Sequence, residues 1–314
     1  MKKPLIILTG PTAVGKTELS IKLAKAVAGE IISADSMQVY KHMDIGTAKI
    51  KPSDMQGVTH YLVDELEPEE DFNVVKFKEY ALKYMEDIYK RGKLPILVGG
   101  TGFYIQAVLN RIDFKEAKED NAYRDGLLKQ AAEKGADYLH EQLKKVDPEA
   151  AKAIHPNNVK RVIRALEYHN QTGDLISAHN EEQKQKDSPY NFCYFVLNRD
   201  REVLYERINK RVDQMIEEGL VDEVKSLLNK GCTSNMVSMQ GLGYKEIIRY
   251  LNGNCSLSEA INSIKQETRH FAKRQITWFK REKEVSWIQK EDYQEDEDIL
   301  IALLSQIKDK GIIK

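Results

Sequence analysis

Leu5-Ile6-Ile7-Leu8-Thr9-Gly10-Pro11-Thr12-Ala13-Val14-Gly15-Lys16-Thr17 opens the chain with an apolar run that leads straight into the pattern GxxxxGK[ST]. The run predicts a buried strand, and Leu19, Ile21 and Leu23 predict an amphipathic helix beyond it, so the loop stands in the strand-to-helix context that a phosphate loop requires. Backbone N–H groups and the helix N-terminus there converge on one anion, Lys16 adds a mobile positive charge, and the Thr17 hydroxyl is available to Mg²⁺. Gly10 and Gly15 permit the close approach, and Pro11, Thr12, Ala13 and Val14 complete the cradle. The motif specifies a polyphosphate without saying which one.

Outward from this loop, short apolar runs alternate with helical patterns, as in a doubly wound sheet. Leu5–Thr9, Glu30–Ser33 and Leu94–Val98 are the expected parallel strands. The expected fold is α/β: a P-loop NTPase-like parallel sheet core over residues 1–111, a helical insertion domain over 112–190, and a region over 191–314 that completes the core and continues as basic helices. Within the insertion the strand signal gives way to helical spacing at Leu127, Leu128 and Ala131 and again at Val162, Ile163 and Leu166. The polar stretch Gly173–Pro189 is expected to be a flexible return. Phe192–Leu197 then supplies another core strand, followed by helices over Arg201–Glu217 and about 258–283, with Val285–Ile288 as a further short strand.

Composition bounds the rest. The 314 residues are 41% hydrophobic and 31% charged with 8 Pro and 18 Gly, which describes a helix-rich globular chain and not a disordered one. The formal net charge of −1 means that any polyanion must be held by local basic patches. Cys193, Cys232 and Cys255 are three and far apart, which gives neither a metal clamp nor a disulfide framework and points to a reducing, cytoplasmic compartment. Met1-Lys2-Lys3 imitates a signal sequence, but the apolar run behind it is too short for one. No stretch is long enough to span a membrane.

Open α/β sheets bind ligands beyond the carboxyl ends of their strands. Ser33-Ala34-Asp35-Ser36-Met37-Gln38-Val39-Tyr40 follows the second strand, so Asp35 is expected to face the cleft. A carboxylate beside phosphates either holds Mg²⁺ through water or accepts a proton from a nucleophile, unless it merely caps the next segment. Gly99-Gly100-Thr101-Gly102-Phe103-Tyr104 makes the other rim, where Thr101 either donates to a leaving-group oxygen or caps a helix. Nucleotide hydrolases add a second strand ending in Asp. Leu94–Val98 ends in Gly99-Gly100 instead, which leaves open a diphosphate that is not a nucleotide.

These three segments together closely resemble the bacterial tRNA dimethylallyltransferases, also called tRNA isopentenyltransferases. Asn158–Glu167 (NVKRVIRALE), Arg207–Val224 (RINKRVDQMIEEGLVDEV), Gln240–Glu246 (QGLGYKE) and Thr268–Phe279 (TRHFAKRQITWF) extend the resemblance over most of the chain. It implies transfer of a dimethylallyl group from dimethylallyl diphosphate to N6 of the adenosine just 3′ of the anticodon, tRNA position 37 by convention. Asp35 is then the implied base and Thr101 the implied partner of the diphosphate bridge oxygen. Arg207 and Arg211, four apart on one helix face, become a diphosphate clamp, where spacing alone favours a solvated face.

The resemblance also implies tRNA contacts from Asp35, Ser36, Met37, Gln38 and Thr101, from Arg124, and from Gln240, Gly243, Tyr244 and Lys245. Charge patterning adds two clusters. Lys265–Lys283 holds seven Lys or Arg against two Glu, with Lys265, Arg269 and Lys273 on one face, and Lys160, Arg161 and Arg164 form a second patch in the insertion. The alternative for each is a solvated helix face. Phe271, Trp278 and Phe279 are expected to pack in the core. Gln38 and Gln240 can read an extruded base edge or cap backbone groups. The expected partners are a tRNA anticodon stem-loop and dimethylallyl diphosphate, with Mg²⁺ as cofactor and the chain as a monomer. The competing expectations are a P-loop small-molecule kinase, a prenyltransferase of free adenylate, and a non-catalytic RNA-binding module. The absence of a C-terminal Cys/His zinc finger favours the bacterial type.

Overall fold

The computed structural model describes residues 2–114 and 121–314. The chain divides into two compact units, Met1–Leu109 with Pro189–Lys314, and Asn110–Ser188.

The first unit begins β1 (Lys3–Thr9), α1 (Lys16–Ala26), β2 (Gly29–Ser33), β3 (His60–Tyr61), α2 (Val74–Lys90), β4 (Leu94–Gly99) and α3 (Gly102–Leu109). The second unit then contributes α4 (Asn121–Lys134), α5 (Ala136–Val146), α6 (Pro148–Ala153), α7 (Val159–Thr172) and α8 (Ile176–Gln185). The chain returns to the first unit as β5 (Tyr190–Asn198), α9 (Arg201–Glu217), α10 (Leu220–Asn229), α11 (Tyr244–Leu251), α12 (Leu257–Phe279), β6 (Val285–Gln289) and α13 (Asp296–Asp309).

The six strands form one parallel sheet in the order β3-β2-β4-β1-β5-β6. A parallel sheet covered on both faces needs apolar side chains on both, which is why β1 reads as a continuous run. Leu5 and Ile7 enter one core cluster with Phe77 and Leu97, while Ile6 and Leu8 enter the opposite one with Leu19, Ile31 and Ile96. Register levels the strand ends: Thr9 pairs with Gly99 and Ser33 with Val98. The phosphate loop, the Asp35 turn and the Gly99-Gly100 turn therefore leave the sheet side by side.

The second unit has its own apolar cluster of Leu139, Leu143, Val162, Ile163 and Leu166. Gly173–Pro189 is not a flexible return, because most of it is α8. That helix is tied to the rest of its unit: Ser177 Oγ and N–H donate to the Asp147 carboxylate at 2.7 and 3.0 Å, and Gln183 Oε1 accepts from the Asp113 N–H at 3.1 Å. Its polar composition hid it, since the ordering comes from these bonds and not from an apolar stripe. No described helix is long and apolar enough to cross a membrane.

Arg124 reaches across this unit to Glu167. Its Nε and Nη2 bind the two carboxylate oxygens at 2.8 and 3.0 Å, and the Glu167 side chain is only 4% exposed. Truncating Arg124 strands a buried charge, a loss of roughly 3–5 kcal/mol for a fully buried pair and about half that here, where the arginine is partly solvated. Arg124→Ala should accordingly lower the melting temperature of the insertion unit. Reduced tRNA binding with an unchanged melt would assign the residue to RNA instead.

Candidate active site

The phosphate loop owes its shape to two glycines and a ring of cations. Gly10, at φ +144°, has no room for a side chain, because a Cβ there would lie 2.4 Å from the Leu197 carbonyl oxygen. Gly15, at φ +95°, turns the chain into α1. Lys16 Nζ donates to the carbonyls of Gly10 and Pro11 at 2.9 and 2.8 Å, and Arg207 Nε donates to that of Ala13 at 2.9 Å. Arg199 Nε approaches the Val14 carbonyl at 3.4 Å, and Arg211 Nη1 the Thr12 hydroxyl at the same distance. The loop carbonyls are thus engaged by positive groups, while the first N–H groups of α1 have no intrahelical partner and suit an anion.

A cavity of about 560 Å³ lies over this loop, within the ordinary range for a ligand site. Thr12, Ala13, Gly15, Lys16 and Thr17 line it, together with Asp35, Gln38, Gly99 and Gly100. Arg207 and Arg211 of α9 line it too, so the pair expected from spacing to be solvated meets the phosphate loop instead. Asp35 lines the cavity and fills one of its expected roles, the local cap. Oδ1 accepts from the N–H groups of Met37 and Gln38 at 2.8 and 3.3 Å, a local cap, which leaves Oδ2 without a hydrogen-bond partner among the described residues. Thr101 is set beside it by a backbone bond from its N–H to the Ala34 carbonyl at 3.1 Å. A Cβ on Gly99 would lie 2.2 Å from that same oxygen, so the close packing of the two turns depends on glycine. Thr101 itself is half-buried and follows Gly100, which lines the cavity where Thr101 does not.

Electrostatics set the site's pH response. Burial first, then the Arg211 guanidinium, bring the Lys16 ammonium down to about 7, against the opposing pull of Asp35. Burial also lowers Arg211, with Asp35 opposing and Arg207 adding to the shift. Between pH 7 and the ordinary lysine value of 10.5 the unfolded chain holds this proton more tightly than the fold does. The cost of the buried charge is therefore full below pH 7 and is relieved as pH rises. An anion needs the charged form. Affinity for inorganic diphosphate, measured by calorimetry without added metal, should fall by up to about tenfold per pH unit above 7, and this component should vanish in Lys16→Met.

No group of three or more His, Cys, Asp or Glu side chains arranged to hold a metal occurs among the described residues. Mg²⁺ does not require one, because it takes one or two hard protein oxygens and completes its shell with water and phosphate. Thr17 and Asp35, both on the cavity, fit that donor set.

Other expected site residues are placed differently. Gln38 has its amide engaged, with Ser33 Oγ 3.3 Å from Oε1 and the carbonyls of Thr47 and Ala48 at 3.3 and 3.4 Å from Nε2. Ser36 is half-buried in the same turn, and Met37 packs against the core. Tyr244, expected at the tRNA, is instead buried, with its hydroxyl donating to Glu223 at 2.7 Å. Gly243, at φ +94°, starts α11, its N–H held by Glu246 at 2.8 Å. Gln240 and Lys245 line a second, open groove of about 550 Å³. On α12, Lys265 pairs with Asp213 at 2.6 Å and Arg269 donates to Asn209 at 2.7 Å, so this face packs on α9 and only Lys273 of the three is exposed. Lys160, Arg161 and Arg164 are exposed on α7.

Sequence reading missed Thr47, Lys210, Gln214 and Gln275 on the cavity wall, and it put Phe271 in the core when it lines the cavity. Lys210 and Gln214 follow Arg207 by three and seven residues, a helical stripe that spacing alone can find. Thr47 and Gln275 arrive by long-range packing. Thr47 is delivered by a loop whose Asp44, Ile45 and Gly46 N–H groups are held by the Glu223 carboxylate at 2.8, 2.7 and 3.1 Å.

Residues 38–282 match the family described as IPP transferase. The chain is 62% identical to the tRNA dimethylallyltransferase of Lachnoclostridium phytofermentans, with 99% of this chain and all of that one aligned. It is 50% identical to the tRNA dimethylallyltransferase of Acetivibrio thermocellus, over 98% of each. Among solved structures, a tRNA isopentenylpyrophosphate transferase from Bacillus halodurans superposes with a TM-score of 0.75 at 45% identity, covering 99% of this chain and 98% of that one. A eukaryotic dimethylallyltransferase acting on tRNA gives 0.79 at 32% identity, covering 91% and 74%.

Proposed function

The chain belongs to the IPP transferase family, and on that premise we propose that it is a tRNA dimethylallyltransferase that moves the dimethylallyl group of dimethylallyl diphosphate to N6 of the adenosine at tRNA position 37. The observation that carries this reading is the single cavity shared by the phosphate loop, Asp35 and the Gly99-Gly100 rim.

The donor's diphosphate sits on the phosphate loop, where Lys16, Arg207 and Arg211 neutralise the charge that grows on it as the allylic C–O bond breaks. The N6 amine attacks the allylic carbon, forming the C–N bond, and its proton passes to Asp35 Oδ2 while diphosphate departs with the bonding electron pair. The Thr101 hydroxyl assists at the bridging oxygen. Thr17 would hold Mg²⁺, which when bound adds positive charge against the diphosphate. The adenine is stacked in the anticodon loop, so it has to be flipped out to reach the cavity.

Family membership sets aside the kinase and the non-catalytic RNA-binding readings. Against an acceptor that is a free nucleotide stand the exposed cations Lys160, Arg161 and Arg164, none of which is drawn into an ion pair among the described residues. Replacing all three with Ala should weaken tRNA binding and flatten its salt dependence by up to about 0.9 log units per lost phosphate contact, with kcat at saturating tRNA kept. Equal affinity at low and high salt for the wild type and the triple variant would remove α7 from the RNA interface. The reaction itself is tested with purified protein, labelled dimethylallyl diphosphate and unmodified tRNA. Label on an adenosine nucleoside is expected, and transfer to free adenylate but not to tRNA would replace this proposal.

A further inference from the structure

Gln275 has no role in the chemistry described above, yet its side chain joins the two halves of the site. It lies on α12, is 6% exposed, and uses both ends of its amide. Oε1 accepts from the Thr12 N–H in the phosphate loop, and Nε2 donates to the Gly100 carbonyl, each at 2.9 Å. The orientation of the amide is not arbitrary: the Thr12 N–H can only donate and the Gly100 carbonyl can only accept, so oxygen must face one and nitrogen the other. Glu cannot donate to Gly100, and Met can do neither.

Two further observations fix this arrangement. A Cβ on Gly100 would lie 2.1 Å from Gln275 Nε2, so the bare backbone at 100 and the amide are matched. The helix that carries Gln275 is itself tied to α9 through Lys265–Asp213 and Arg269–Asn209, and α9 supplies the Arg207 and Arg211 contacts to Ala13 and Thr12. The Thr12 end of the loop is thereby fixed relative to both helices, and its N–H is withheld from the bound anion.

We infer that Gln275 is a positioning residue that holds the phosphate loop in register with the Gly100-Thr101 turn, and so sets the separation across which the prenyl group passes. This rests on the prenyl-transfer reading above. A group that aligns donor and acceptor affects the rate of transfer far more than anion binding, because misalignment by a fraction of an ångström is felt only in the transition state.

The test uses Gln275→Met, Gln275→Glu, Gln275→Ala, Gly100→Ala and the double variant Gly100→Ala/Gln275→Ala in the full chain. Inorganic diphosphate affinity is measured by calorimetry, kcat and KM for dimethylallyl diphosphate at saturating tRNA, and folding by thermal melt. Gln275→Met, at a temperature where it is folded, should lose about 30-fold or more in kcat and keep its diphosphate Kd within about threefold. Gln275→Glu should lose as much in kcat and also bind diphosphate more weakly. Gly100→Ala should be impaired alone and recover by about tenfold when the amide is also removed, the non-additivity expected of a matched pair. A folded Gln275→Met with kcat within threefold of wild type overturns the inference, as does a parallel loss of kcat and diphosphate affinity. Should the Met variant not fold, additive effects of Gly100→Ala and Gln275→Ala on the melt overturn it. Wild-type protein that puts no label on tRNA defeats the prenyl-transfer reading instead.

Discussion

Asp35→Asn is expected to transfer the prenyl group to tRNA about 10²–10⁴-fold more slowly than wild type, the span that loss of a positioned general base produces. Asparagine is the sharper substitution because Asp35 has one observed duty and one proposed. Its Oδ1 caps Met37 and Gln38, and an amide oxygen can continue to do so. Only Oδ2, the proposed proton acceptor, is exchanged for a donor. tRNA affinity and the melting temperature should therefore stay near wild type, whereas Asp35→Ala, which also uncaps the turn, should lose a further ~1 kcal/mol of stability. Full activity in the asparagine variant would take the proton-acceptor role away from this residue.

Lys16→Met should be nearly as damaging and for a different reason. The methionine fills most of the volume but removes the positive charge nearest the loop carbonyls, and with it a preorganised partner for the departing diphosphate, worth about 10²–10³ in kcat. Inorganic diphosphate affinity should drop as well, since a charge that neutralises the leaving group also holds the product. This joint loss separates it from Gln275→Met, in which only the rate falls. Lys16→Arg should not rescue, because the planar guanidinium cannot make the two contacts to Gly10 and Pro11 with a single compact nitrogen. An unchanged donor KM and kcat in Lys16→Met would mean that the anion binds elsewhere.

Much of this site was legible in the chain because the sheet is parallel. Each strand end announces itself as an apolar run stopped by small or polar residues, and parallel pairing places those stops along one edge, so the sequence alone groups the loop at Gly10–Thr17, Asp35 and Gly99-Gly100. β3 escaped notice because two residues, His60 and Tyr61, carry no periodicity. α8 reads as a loop in the sequence because its anchors are polar and lie on distant Asp147 and Asp113. Tyr244 and Phe271 changed places between surface and core for a related reason: an aromatic side chain looks the same in sequence whether its ring meets Gly46 and Glu223 or a cavity. Gln275 lies within the stretch Thr268–Phe279 that carries the resemblance but has no signal of its own, since one amide among many acquires meaning only when Thr12 and Gly100 meet it.

The place of β1 in the sheet bears on how the protein is made. Its two neighbours are β4 and β5, and Ile6 finds Cys193 only after the whole insertion has been synthesised. At a typical ribosomal rate of about 5–20 residues per second, that edge of the first strand waits on the order of 10–40 s for its partner. For that interval the emerging chain presents an unpaired, strongly apolar ribbon, the kind of surface that holding chaperones bind. Slowing translation within the insertion should therefore lower the soluble yield more than an equal delay placed after β6.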